Sequence, residues 1–139
     1  MKKIALAIIA VVLAVTSIFC FTACGDTPEQ KLQNYIESDS FQSQLTSMKS
    51  SFESTMDIDV KTEGEKLIMQ FDYKQDIPDS AVDTIKSVLE NNFDSNSGVF
   101  VNIADTIKKE VGIENPEVII EINTNDGTNL ITQTYGASE

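Results

Sequence analysis

Residues 56–73 read MDIDVKTEGEKLIMQFDY and carry the clearest structural signal in the chain. Apolar and charged residues alternate strictly from Met56 to Lys61, the pattern of a strand with one buried face and one solvated face. A second alternating run extends from Leu67 to Tyr73, and Glu63-Gly64-Glu65 between the runs is typical of a turn. The stretch therefore predicts a β-hairpin.

Two helices are predicted before this hairpin. The apolar spacing favours a short helix, a break near Ser38-Asp39-Ser40 and a longer helix that ends at about Ser54. Asp39 followed by Gln42 resembles a capping box for the second helix. The apolar stripes that carry these helices are Leu32, Tyr35 and Ile36, and then Phe41, Leu45, Met48 and Phe52.

A longer helical stripe follows the hairpin and runs from Val82 to Val111. Its phase continues across a polar gap at Asn96, which favours one long helix, straight or kinked, over two helices joined by a loop. Gly112 and Pro116 then end the helix.

A second hairpin is predicted near the C-terminus. Its strands are Glu117 to Asn123 and Leu130 to Tyr135, and Asn125-Asp126-Gly127 is a strong hairpin turn signal between them. The element order αββαββ predicts an α+β, two-layer fold. In it, a four-stranded antiparallel sheet has its helices packed on one face.

The composition excludes several kinds of chemistry. The chain has 139 residues, a net charge of -12 and no His, and all its basic residues are Lys. A triad with His, an imidazole metal site and an arginine clamp on phosphate are therefore excluded. An acidic chain with a pI near 4.2 also argues against nucleic-acid binding.

Carboxylates are the remaining candidates for chemistry. Asp57, Asp59, Asp72 and Glu121 are expected on the solvated face of the sheet, rather than as a catalytic pair. No Ser-x-x-Lys and no glycine-rich phosphate loop occur in residues 24–139. We therefore expect no enzyme activity, no catalytic residue and no cofactor.

Two oxygen-rich stretches weakly resemble calcium loops. In Asp94-Ser95-Asn96-Ser97-Gly98 the glycine comes one position too early for an EF-hand, and a polar patch on a helix is the favoured interpretation. Asn123-Thr124-Asn125-Asp126-Gly127 fits an ordinary hairpin turn. No metal site is predicted at either stretch.

The N-terminus has the pattern of an export signal. Lys2 and Lys3 precede a run of twelve apolar residues from Ile4 to Val15, which is too short to span a bilayer comfortably. Phe21-Thr22-Ala23-Cys24 resembles the lipobox of bacterial lipoproteins, with Phe21 in place of the usual aliphatic residue. The resemblance implies that residues 1–23 are removed and that the Cys24 thiol is lipidated. The alternatives are a secreted protein cut near Ala23 and an uncleaved anchor.

The remaining chain divides into a tether and one domain. We expect residues 24–30 to form a short tether and residues 31–136 to form a single α+β domain. After cleavage Cys24 is the only cysteine left, because Cys20 belongs to the signal. Two acyl chains on one lipidated cysteine would give a stable anchor.

The region that follows Cys24 is similar to a family of small lipoproteins of Gram-positive (Firmicutes) bacteria whose domain has no known function. The similarity rests on the order and spacing of four segments. These are Leu32-Gln33-Asn34-Tyr35-Ile36, Phe41-Gln42-Ser43-Gln44-Leu45, Ile58-Asp59-Val60-Lys61 with Glu63-Gly64, and Asn115-Pro116-Glu117-Val118. The resemblance implies export and anchoring, and it supplies no catalytic residue.

These observations predict a lipid-anchored, non-enzymatic binding or accessory module on the outer face of the cell membrane. It would contact the membrane through Cys24 and bind an envelope protein, a cationic peptide or a cation. The alternatives are a weak divalent-cation binder that uses surface carboxylates and a cell-envelope hydrolase with paired carboxylates.

Overall fold

The computed structural model describes residues 26–139, which form helices and strands in the order ααββααββ. The helices are α1 (Pro28–Glu37), α2 (Asp39–Phe52), α3 (Asp79–Ser95) and α4 (Ser97–Thr106), and a π-helical turn (Ile107–Val111) continues α4. The strands are β1 (Met56–Glu63), β2 (Lys66–Tyr73), β3 (Glu117–Asn123) and β4 (Asn129–Gly136). The predicted signal and lipobox, including Cys24, lie outside the described residues.

The first two helices are separated by a single residue. Thr27 and Gln30 form a capping box at the start of α1, where Pro28 occupies the first turn. Ser38 is in extended conformation, and its hydroxyl accepts a hydrogen bond from the Phe41 N–H at 3.3 Å. The predicted break is therefore confirmed, but the cap of α2 is Ser38 and not Asp39.

The four strands form one sheet in the order β1-β2-β3-β4. Both hairpins are antiparallel, as predicted, but β2 and β3 are parallel, so the sheet is mixed and the expectation of an all-antiparallel sheet is wrong. The physical reason is the helical connection between β2 and β3. It returns the chain to the starting end of β2, where the Glu117 N–H donates to the Glu65 carbonyl at 3.1 Å.

The stretch between the two hairpins is helical almost throughout. Asn96 interrupts it, with φ −119° and ψ 16°, and the next helix begins at the following residue. The observed structure lies between one long helix and two helices joined by a loop. The helix breaks at the polar gap, but only Asn96 separates α3 from α4. Gly112, with φ 74°, ends the π-helical turn.

All the helices pack on one face of the sheet, and the core lies between the two layers. Alternate strand residues face this layer, and Phe71 is the largest of the strand residues that are completely buried. Phe100 of α4 stacks on Tyr135 of β4 with 4.6 Å between ring centroids, and Phe93 of α3 lies 5.4 Å from Phe100. The predicted α+β fold with its helices on one face is confirmed.

Candidate binding face

The other face of the sheet carries no helix, and a row of polar side chains crosses it. The strand register places Asp57 opposite Asp72, Asp72 beside Asn123, and Asn123 opposite Asn129. One residue from each strand therefore contributes to this set of four, which we call the polar row. The whole helix-free surface is called the open face.

Hydrogen bonds link most of the polar row. The Asn123 Nδ2 atom donates to Asp72 Oδ1 at 2.7 Å, and Asn129 Nδ2 donates to Asn123 Oδ1 at 3.0 Å. The Gln70 amide donates to both oxygens of Asp72 at 3.0 and 3.1 Å, and the Thr132 hydroxyl donates to Asn129 Oδ1 at 3.2 Å. Because Asn123 is only 9% exposed and lies beside Asp72 in the strand register, its hydrogen bond fixes the orientation of the Asp72 carboxylate.

The carboxylates predicted on the solvated face all lie there. Asp57 and Asp59 are exposed, and Asp72 and Glu121 are partly exposed. Asp57 forms an ion pair with Lys74 at 3.0 Å. Asp59, Asp72 and Glu121 form no ion pair with any described residue.

A surface depression of about 590 Å³ lies at the end of the open face that contains the polar row. Tyr73 lines it together with Asp57, Asp72, Lys74 and Asn123, so acceptors, donors and one aromatic ring meet in one place. Burial raises the pKa of Tyr73 above its ordinary value of 10.0, and its hydroxyl, which is protonated at neutral pH in either case, can donate a hydrogen bond. Such a surface can hold polar or positively charged groups of a ligand.

The turn between β3 and β4 borders this depression and is held by its own side chains. The Asp126 carboxylate accepts hydrogen bonds from the Thr124 hydroxyl and from the Thr128 N–H, the latter at 2.9 Å. These hydrogen bonds hold the pKa of Asp126 at about 2, below its ordinary value of 3.8. The Asn125 amide donates to Asp76, which ties the turn to the segment before α3.

The other calcium-like stretch, residues 94–98, lies where α3 meets α4. The Ser95 hydroxyl donates to the Asn91 carbonyl at 2.7 Å, and the Asn96 amide donates to the Asn92 carbonyl at 2.8 Å. These side chains therefore bond to carbonyls of their own helix. Across residues 26–139, no three His, Cys, Asp or Glu side chains are grouped so that they could hold a metal ion.

Sequence reasoning found the carboxylates of the open face but missed the amides. Gln70, Asn123 and Asn129 organise the polar row, and their pairing depends on the register of three strands. One signal was available in the sequence, because Asn123 follows the apolar alternation of Val118, Ile120 and Ile122. An amide at that point ends a buried strand at a polar surface.

The fold and this face define a small α+β domain with one helix-covered and one open sheet face. The chain belongs to the family described as Domain of unknown function (DUF4854), which matches residues 32–135. No curated protein matches the chain. No solved structure matches it either. In residues 26–139, no helix has both the length and the apolar character needed to cross a bilayer.

Proposed function

We propose that the protein is a lipid-anchored, non-enzymatic binding module on the outer face of the cell membrane. Its anchor would be a lipid on Cys24, and its binding surface would be the open face of the sheet. The sequence Phe21-Thr22-Ala23-Cys24 after a short apolar run supports the anchor. Two acyl chains would retain the protein at the bilayer without a membrane-spanning helix.

The observation that carries the binding proposal is the polar row. It places one polar side chain from each of the four strands on a helix-free surface, and Asn123 holds Asp72 in one orientation at 2.7 Å. Groups that are fixed before a ligand arrives lose less freedom when the ligand binds, which favours affinity. The strands also provide a rigid support, as binding surfaces require.

The anchor is tested by metabolic labelling with an alkyne fatty acid followed by membrane fractionation of cells that express the full chain. We expect the wild-type protein to carry the label and to sediment with membranes. Cys24→Ala should lose both properties. Cys20→Ala is the matched control, because this cysteine lies within the signal and should be dispensable.

Two results would reject the anchor. Label that persists in Cys24→Ala would show that the lipid is attached elsewhere. An unlabelled Cys24→Ala that still sediments with membranes would mean that an uncleaved apolar segment retains the protein.

A further inference from the structure

We infer that the open face binds an extended polypeptide segment that carries lysine or arginine side chains. The inference deepens the proposed function by naming the class of partner, and it rests on that function. It starts from three carboxylates, Asp59, Asp72 and Glu121, which we call the acidic triangle. Asp59 and Glu121 both pair with Gln70 in the strand register, and Asp72 is the next residue on the same face of β2.

The charge of the acidic triangle is not balanced within the described chain. Lys74 pairs with Asp57 at 3.0 Å and Lys66 pairs with Glu117 at 3.8 Å, so two lysines on this face are already engaged. A third lysine of this face, Lys61, lies two residues from Asp59 on β1 and is exposed, but it forms no ion pair with a described residue. No lysine among residues 26–139 thus lies within ion-pair distance of the triangle. A partner that brings positive charge would therefore complement this part of the face.

The triangle also has internal order. Gln70 and Asn123 both donate to Asp72, so its carboxylate is held on the sheet before any ligand arrives. Side chains are separated by roughly 7 Å when they lie two residues apart on one strand or diagonally across two neighbouring strands. An extended peptide places every second side chain at about the same spacing. Several cationic side chains can thus meet separate carboxylates at once.

Charge also selects this partner over the other macromolecules. A second copy of the chain carries the same net charge of -12, and nucleic acid is likewise an anion, so both are repelled. An anionic lipid surface would meet the same repulsion. A cationic polypeptide is the remaining class whose charge is opposite to that of the triangle.

The position of the tether supports this assignment. At the end of β1 opposite Asp57, the Thr62 hydroxyl donates to Gln33 of α1 at 2.8 Å, and α1 also contacts the π-helical turn that precedes β3. Helix α1 therefore lies at the end of the sheet away from the polar row. Only two residues, Gly25 and Asp26, separate Cys24 from Thr27, which allows a reach of about 10 Å. The polar row would then lie away from the bilayer, where a partner can approach it.

The test uses fluorescence anisotropy of a labelled Lys-Thr-Lys-Thr-Lys-Thr-Lys peptide with the purified full-length chain in neutral detergent. The triple variant Asp59→Asn, Asp72→Asn and Glu121→Gln removes the charge of the triangle with little change in shape. Its matched control is Glu53→Gln, Asp83→Asn and Glu114→Gln, which removes equal charge from exposed positions outside the open face. We expect saturable binding that weakens about ten-fold in the triangle variant and less than about two-fold in the control.

Three results would overturn the inference: no binding to the wild-type chain, equal weakening in both variants, or stronger binding to the Glu-Thr counterpart of the peptide or to anionic phospholipid vesicles. If the triangle variant fails to fold, as judged by circular dichroism, the single change Glu121→Gln replaces it, and unchanged affinity then rejects the assignment. The lipid label on Cys24 is independent of these results. If the protein carries the lipid label and sediments with membranes but does not bind the peptide, the inferred partner class is rejected and the proposed anchor is retained.

Discussion

On the covered face of the sheet, Phe71 and Ile120 are completely buried beneath the helices, whereas their neighbours Asp72 and Glu121 on the opposite face remain partly exposed. The same strands thus support two surfaces that are stabilised differently. The covered face gains its stability from apolar area removed from water. The polar row instead depends on hydrogen bonds among its own side chains, since their groups are partly removed from water and need partners.

The largest expected difference between the faces concerns the core. Phe71→Ala should lower the free energy of unfolding by about 3–5 kcal/mol, because it removes a fully buried ring at the centre of the sheet. Asp59→Ala, on the exposed side of neighbouring β1, should change it by less than about 0.5 kcal/mol. Urea unfolding of both variants at neutral pH measures the contrast. Similar losses in the two variants would contradict the division of the sheet into two faces.

A smaller loss is expected in the polar row. Asn123→Ala should lower the free energy of unfolding by about 1–2 kcal/mol, because Asp72 and Asn129 each lose a hydrogen-bond partner. A double-mutant cycle with Asp72→Ala should give a coupling of about 0.5–1.5 kcal/mol. A control cycle that combines Asn123→Ala with Thr134→Ala should be additive, because Thr134 lies further along the open face. Additivity in both cycles would mean that the row is not a connected network.

The alternation of residue types made most of this division predictable from the sequence. Met56 and Ile58 alternate with Asp57 and Asp59, so the period of the strand alone assigned each residue to its face. The period of the helices likewise identified Phe41, Leu45, Met48 and Phe52, all of which are buried.

The pairing of β2 with β3 was not predicted, although two strands joined by helices commonly pair in parallel. The antiparallel expectation extended the geometry of the hairpins to a connection that is not a hairpin. Asp72 and Asn123 lie far apart in the sequence and meet only through this parallel register. The polar row was therefore not predicted either. The local sequence pattern predicts which face of the sheet a residue lies on. Which residues lie beside it on the neighbouring strand depends on the path of the helices that connect the strands.

A buried polar group on the covered face provides the next prediction. The Tyr135 hydroxyl is buried and has no hydrogen-bond partner among the described residues. Burial, and then the nearby Asp94 carboxylate, raise its pKa to about 12. Tyr135→Phe should therefore leave the free energy of unfolding unchanged or raise it by up to about 1 kcal/mol, since an unpaired polar group leaves the core. Urea unfolding checks this, and a loss of more than about 1 kcal/mol would indicate that the hydroxyl is bonded.

The smallest expected effect concerns pH at the turn that borders the open face. The pKa of Asp126 is about 2 in the folded protein, below its ordinary value of 3.8, so folding favours the ionised carboxylate. Its contribution to stability is therefore complete above pH 3.8 and is lost as the pH falls through about 2. The stability difference between wild type and Asp126→Asn should shrink from pH 6 to about pH 2.5.

Carboxyl-carbon NMR titration measures the same effect directly at Asp126. Thr124→Val should move the pKa of Asp126 back towards 3.8, because it removes the hydroxyl that contributes most to the depression. Thr124 is itself only 8% exposed, so its hydroxyl depends on this carboxylate and on the turn for hydrogen-bond partners. An unshifted Asp126 in the wild-type chain would mean that the turn is held by its backbone alone. The turn that borders the open face would then lack side-chain hydrogen bonds of the kind that stabilise the polar row.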